Sequence, residues 1–176
     1  MRNHLPAPMP YFSETSTFMV TVGTSGRQPI FSQPDRLNLV NSYLLHTADA
    51  YGWRLQAWAV MPNHYHFVAL GPVSPANLRT MLVYLHSAVA RDLNKMDGVS
   101  LRRVWDQITD RRLTNQHSYY AMIKYVNQNP ARHGLVEQAS QYQWSSAEWF
   151  EQHASPELQR MVELVDIGYL RVPDDF

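Results

Sequence analysis

The sequence predicts an α+β domain: a four-stranded antiparallel sheet with helices packed on it, followed by a C-terminal helical extension. Three observations predict it. Apolar residues alternate with period two in short stretches and recur at helical spacing in the segments between them. Gly, Pro and Asn residues punctuate the boundaries of those segments. The resulting order is β-α-β-β-α-β, the split βαβ or ferredoxin-like plan, with two helices on one sheet face. A third helix is left to cover the other face.

Each element has its own signal. Thr17 to Val22 alternates Phe18, Val20 and Val22 with Thr17, Met19 and Thr21, which predicts a first strand. Gly23 to Pro29 is expected to be a loop. Pro34-Asp35 opens a helix whose apolar positions Leu37, Val40, Leu44, Ala48 and Tyr51 end at Gly52. Trp53 to Met61 predicts the second strand, Pro62-Asn63 a turn, and His64 to Leu70 the third strand. Ser74-Pro75 pairs an N-cap with a first-turn proline. The helix it opens carries Leu78, Met81, Leu82, Leu85, Val89 and Leu93 and stops near Gly98. Arg103 to Leu113 predicts the fourth strand. A third helix is expected from about Gln116 to Asn129, with Pro130 as its stop. Beyond it stand Gly134, an aromatic Tyr142-x-Trp144 turn and a terminal helix opening at Ser155-Pro156.

Composition narrows the class. A chain of 176 residues with 45% hydrophobic and 17% charged residues suits one folded domain with an adequate core. It contains 0 cysteines, which excludes disulfides and thiolate metal sites and fits a reducing, cytoplasmic setting. No apolar run approaches the ~18 residues that span a bilayer, and the start lacks a secretory h-region. The zero net charge hides an asymmetry. Residues 137–176 hold Arg160 and Arg171 against eight carboxylates, a balance of −6, so residues 1–136 carry +6. A basic body, 1–136, with an acidic extension, 137–176, packing on it is the expected organisation. Its cations are 13 arginines and only Lys95 and Lys124, and the arginine fork suits phosphates and base edges.

Two short runs carry the chemistry. In His64-Tyr65-His66, alternation along a strand puts both imidazoles on one face and Tyr65 on the other. Two neutral imidazoles side by side form half of a divalent-metal site. On the third helix, Tyr119, Met122, Ile123 and Val126 form the apolar stripe. Tyr125 and Asn129 stack together at i and i+4, about 90° from the centre of that stripe. The plain account makes Tyr125 a packing tyrosine and Asn129 a helix cap. The chemical account makes Tyr125 a nucleophile, with a metal held by His64, His66 and Asn129 neutralising charge on an attacked phosphate. Magnesium or manganese is expected there, though imidazole ligands would also accept zinc.

With the run Met61-Pro62-Asn63-His64-Tyr65-His66 and the later Tyr125-Val126-Asn127-Gln128-Asn129-Pro130-Ala131-Arg132-His133-Gly134-Leu135-Val136, the chain resembles the REP-associated tyrosine transposases. These are relatives of the single-tyrosine HUH transposases of insertion sequences. The resemblance extends from Phe18-Met19-Val20-Thr21 through Trp144-Ser145-Ser146. It implies binding of repetitive extragenic palindrome (REP) hairpins as single-stranded DNA, and cleavage through a 5′-phosphotyrosine with magnesium or manganese. By motif position it makes Tyr125 the nucleophile and His64, His66 and Asn129 the metal ligands. Mobile relatives often carry glutamine as the third ligand and an aliphatic residue between the histidines, so Asn129 and Tyr65 depart from that pattern. The resemblance leaves monomer and homodimer both open and implies a cytoplasmic, nucleoid-associated protein.

Arg102, Arg103, Arg111, Arg112, Lys124 and Arg132 are the candidate DNA contacts, because they bracket the proposed site in sequence. His133 is a candidate phosphate contact. Two rival readings compete with strand cleavage by tyrosine: a hairpin-binding protein with no catalysis, and a metal-dependent phosphoesterase using water. The second normally needs two His-x-Thr/Ser units, and only one His-x-His is present.

Overall fold

The computed structural model describes residues 5–10, 17–72 and 77–172. Its elements are β1 (Thr17–Thr24), α1 (Pro34–Ala50), β2 (Arg54–Val60), β3 (His64–Leu70), α2 (Leu78–Met96), β4 (Trp105–Arg112) and α3 (Gln116–Arg132). Two short helices follow, α4 (Ala147–His153) and α5 (Pro156–Leu164). The sheet order is β2-β3-β1-β4 with antiparallel neighbours throughout. That order is the split βαβ arrangement expected from the chain order, with β1 and β3 central.

Strand register sorts the side chains. His66 lies opposite Thr21, and His64 opposite Gly23. On the next ladder Thr21 faces Thr109 and Met19 faces Arg111. Directly opposed residues share a face, so His64, His66, Thr21, Thr109 and Arg111 stand on one side of the sheet. Tyr65, Phe67, Trp58 and Val20 stand on the other. That second side packs against α1 and α2: Trp58 donates its indole N–H to Asn41 at 3.1 Å, and Tyr65 pairs with His86 at 2.7 Å. The histidine side is covered by α3, whose Tyr119 hydroxyl donates to Gln56 Oε1 at 3.0 Å.

The structure differs from the sequence expectation in three places. β1 continues to Thr24, with a register irregularity after Val22, because Gly23 still pairs with His64 and Thr24 with Trp105. Pro130 does not end α3, which runs on to Arg132. A proline removes one N–H, but His133 N–H still reaches the Asn129 carbonyl at 3.0 Å, so the last turn closes. The stop is Gly134, in the left-handed region at φ 69, from which Leu135 N–H returns to the Pro130 carbonyl. α4 was not expected; a helix of two turns is too short to show a period. The Ser74-Pro75 cap lies outside the described residues, and Asn77 precedes α2.

Residues after 136 are tied into the body. Ser145 bridges Ala59 on the outer edge of β2. Ser146 N–H donates to the Trp58 carbonyl at 2.8 Å, and its hydroxyl accepts from Trp58 N–H at 2.7 Å. Trp149, Phe150, Leu158 and Val162 are all buried in the main core. Ser155 caps α5 by accepting from Leu158 N–H, as its position before a proline predicts. Among the described residues no helix is long and apolar enough to cross a membrane.

Candidate active site

The turn between β2 and β3 builds the first half of the site. Met61 N–H reaches the His64 carbonyl at 2.8 Å, closing a tight reversal around Pro62-Asn63. β3 therefore begins at His64, and its alternation delivers His64 and His66 to the α3 side with ring centroids 4.8 Å apart. Tyr65 points the other way and is buried with no exposed surface. The departure from an aliphatic residue is absorbed there by its hydrogen bond to His86.

α3 supplies the second half. Asn115 caps the helix by accepting from Ser118 N–H at 2.8 Å, which sets where the helix starts. Ten residues further along, Tyr125 faces β3 with its ring edge-on to His66, centroids 5.6 Å apart. One turn later Asn129 Oδ1 stands 3.4 Å from His64 Nε2. The four side chains are deeply buried: His64 1%, His66 0%, Tyr125 2% and Asn129 0% exposed. Arg132, after one more partial turn, holds its guanidinium 5.2 Å from the Tyr125 ring centroid, a cation–π contact. His133 places its ring 5.2 Å from that of His64.

The donor set fits a divalent cation. Asn63 donates its amide nitrogen to the Arg27 carbonyl at 3.3 Å, so its Oδ1 is the atom facing His64 Nδ1 at 2.8 Å. An imidazole that donates from Nδ1 to that oxygen keeps its lone pair on Nε2. That lone pair faces a second acceptor, Asn129 Oδ1. Two ligands held at about 2.1 Å from one ion stand about 3.0 to 3.4 Å apart at angles of about 90° to 109°, which matches the spacing of this pair. His66 is held from the other side by Thr21 Oγ1, 2.8 Å from its Nδ1. Among the described residues no three His, Cys, Asp or Glu side chains form a group that could hold a metal ion; a set built on the two imidazoles would take its third donor from a carboxamide.

The structure thus brings together Tyr125, His64, His66, Asn129 and Arg132. It places the other predicted DNA contacts elsewhere. Arg102 is held by Asp97 at 2.6 Å and by Asn94 at 3.1 Å. Arg103 lies exposed and pairs with Asp106 at 3.1 Å. Arg111 shares the histidine side of the sheet, beside Thr109 and Met122. Arg112, opposite Phe18, falls on the α1–α2 side. Lys124 donates to the carbonyls of Glu163 and Val165, both at 2.7 Å, and so ties α3 to the end of α5. A groove of about 570 Å³ lies between α2 and β4 and is lined by Leu82, Asp106 and Ile108, among others, and by none of the predicted site residues. Sequence reasoning missed Thr21 and Asn63 as partners of the two imidazoles. In the sequence Asn63 is a turn residue and Thr21 an alternating strand position, with only their adjacency to His64 and parity with His66 as a signal.

Comparisons with known proteins place this geometry in context. No family model matches the chain. A Haemophilus influenzae protein named "Putative REP-associated tyrosine transposase" is 25% identical over 127 residues, covering 64% of this chain and 69% of that protein. A solved structure described as a REP-associated tyrosine transposase bound to a REP hairpin matches with a TM-score of 0.64. It is 18% identical, and the match covers 94% of this chain and 92% of the other. At that identity it shows a shared fold. A crystal structure of a "putative transposase" from Deinococcus radiodurans R1 matches more weakly, with a TM-score of 0.46 and 16% identity, over 65% of this chain and 91% of that one.

Proposed function

We infer that this chain, which resembles the REP-associated tyrosine transposases in sequence and in fold, cleaves and rejoins single-stranded REP-type hairpin DNA through Tyr125. The observation that carries the reading is the convergence across two elements. His64 and His66 from β3 meet Tyr125 and Asn129 from α3, with His66 and Tyr125 rings 5.6 Å apart and His64 Nε2 3.4 Å from Asn129 Oδ1. Hairpin DNA as partner is supported by the solved relative, whose description names a bound REP hairpin.

His64, His66 and Asn129 would hold a magnesium or manganese ion. When bound, such an ion neutralises charge on the scissile phosphate and eases attack by a weak nucleophile. Tyr125 supplies that nucleophile. Its Oη forms a bond to phosphorus as the bond from phosphorus to the 3′ oxygen breaks. The phenol proton is given up and the departing 3′ oxygen gains one, so the step is balanced and leaves a 3′ hydroxyl. The 5′ phosphate stays on the protein as an ester, and the reverse attack by a 3′ hydroxyl rejoins DNA without an added energy source. Arg132, stacked on the Tyr125 ring, contributes positive charge where the phosphate must sit.

One observation favours the alternative, a hairpin-binding protein without catalysis: the Tyr125 hydroxyl oxygen is buried. A 3′-labelled hairpin oligonucleotide with a single-stranded foot separates the two. Incubated with manganese, the label should travel with the protein on a denaturing gel, and should not do so with Tyr125→Phe. No adduct with either magnesium or manganese, or an adduct that survives Tyr125→Phe, sinks the cleavage reading.

A further inference from the structure

The two imidazoles are oriented by different kinds of partner, and the difference matters. His66 Nδ1 meets the Thr21 hydroxyl at 2.8 Å. A hydroxyl both donates and accepts, so Thr21 fixes where the ring sits and leaves its tautomer open. His64 Nδ1 meets the Asn63 Oδ1 at 2.8 Å, and that oxygen only accepts. Nothing lets the amide turn round at no cost, because its nitrogen is already spent on the Arg27 carbonyl at 3.3 Å. Arg27 itself sits in the left-handed region at φ 59, directly after Gly26 at φ 63. These two residues turn the chain at the end of β1, and Thr24 N–H pins the same turn to the Asn63 carbonyl at 2.8 Å.

We propose that Asn63 is a positioning residue that locks His64 as the Nδ1–H tautomer, with the Arg27 carbonyl locking Asn63 in turn. The Nε2 lone pair is then committed toward Asn129 before any ion arrives. The metal-binding consequence rests on the functional reading given above; the tautomer does not. A site whose ligand is already in the right tautomer need not move a proton on binding, and loss of such an outer partner commonly weakens metal affinity about 10- to 100-fold.

The test uses the full chain with ¹⁵N-labelled imidazoles, observed by long-range ¹⁵N–¹H correlation at a pH where His64 is neutral. Wild type should show His64 as the Nδ1–H form. Asn63→Ala should shift it to a mixture or to Nε2–H, while Asn63→Asp, still an acceptor, should restore Nδ1–H. His66 should keep its signals in both variants, which reports that the sheet remains folded. A wild-type His64 in the Nε2–H form, or a tautomer unmoved by Asn63→Ala, overturns the proposal. Manganese titration of the same samples should give about 10-fold or greater weakening in Asn63→Ala. Equal affinity despite a changed tautomer overturns the role of Asn63 in the metal site. Wild type failing to bind manganese removes the metal-dependent function instead, and leaves the tautomer result standing.

Discussion

Lowering the pH from about 7 to about 4.5 is the perturbation to which buried His86 exposes this fold. The imidazole is stacked on Trp105 with centroids 4.5 Å apart and meets the Tyr65 hydroxyl at 2.7 Å. Burial holds its pKa down, from 6.5 to about 4. Burial also pushes Tyr65 well above the ordinary tyrosine value, so the phenol keeps its proton and donates to the neutral ring. Protonating His86 would put a charge into a dry site, and that desolvation cost is what holds its pKa down. The unfolded chain, with an imidazole pKa of about 6.5, takes up the proton first. Stability from this group is therefore intact above about pH 6.5 and drains away as pH falls toward about 4. One pKa unit corresponds to about 1.4 kcal/mol, so the whole window is worth about 3 kcal/mol and the loss by about pH 4.5 is about 2 kcal/mol. Urea unfolding at the two pH values, in wild type and in Tyr65→Phe/His86→Leu, isolates the effect because other acid-sensitive groups cancel. Wild type should lose about 2 kcal/mol more than the double variant on acidification. Equal losses would refute the assignment of a neutral, desolvated His86 between Tyr65 and Trp105.

Three other expectations follow from named contacts. Under the proposed function, Tyr125→Phe should abolish the covalent adduct yet leave hairpin binding unchanged in a fluorescence anisotropy titration, since only the proposed nucleophile's oxygen is removed. Ser146→Ala should cost about 1 to 3 kcal/mol in a denaturant titration, because the hydroxyl contacts Trp58 N–H at 2.7 Å and Asn127 Oδ1 at 2.6 Å in a buried site. Arg111→Met and Lys124→Met should behave oppositely when hairpin affinity is followed across a salt series. If Arg111 meets a phosphate, its loss lowers the slope of log affinity on log salt by about 1. Lys124→Met should leave that slope alone and instead cost about 1 kcal/mol of stability, since its ammonium is already engaged by the Glu163 and Val165 carbonyls.

The acidic extension shows how far charge counting reaches. A balance of −6 after residue 136 suggests an acidic segment that folds over the basic body and limits access to it. In the structure that stretch buries Trp149, Phe150 and Leu158 in the common core and extends the edge of β2 through Ser145. Deleting it would expose apolar core, so a truncation would report folding rather than access. Net charge says nothing about which apolar side chains a segment contributes. Lys124 and Arg102 teach the same lesson: both looked available, and both are held by partners within the fold, one of them 39 residues distant in sequence.

By itself the sequence determined the element order through α3 and the parity of β3. Both are local properties: a strand alternates every two residues and a helix every 3.6, whatever surrounds them. That is enough to put His64 and His66 on one face, Tyr65 on the other, and Tyr125 above Asn129. Only the tertiary structure decided that α3 lies across the histidine face in the one register that brings Asn129 to His64 and Tyr125 to His66. It also decided that Arg27 would aim its carbonyl at Asn63 and that α3 would run through Pro130 to Gly134. These outcomes depend on the packing of elements far apart in the chain, where distance is set by side-chain volume and hydrogen-bond satisfaction across the whole core, and no local period encodes it.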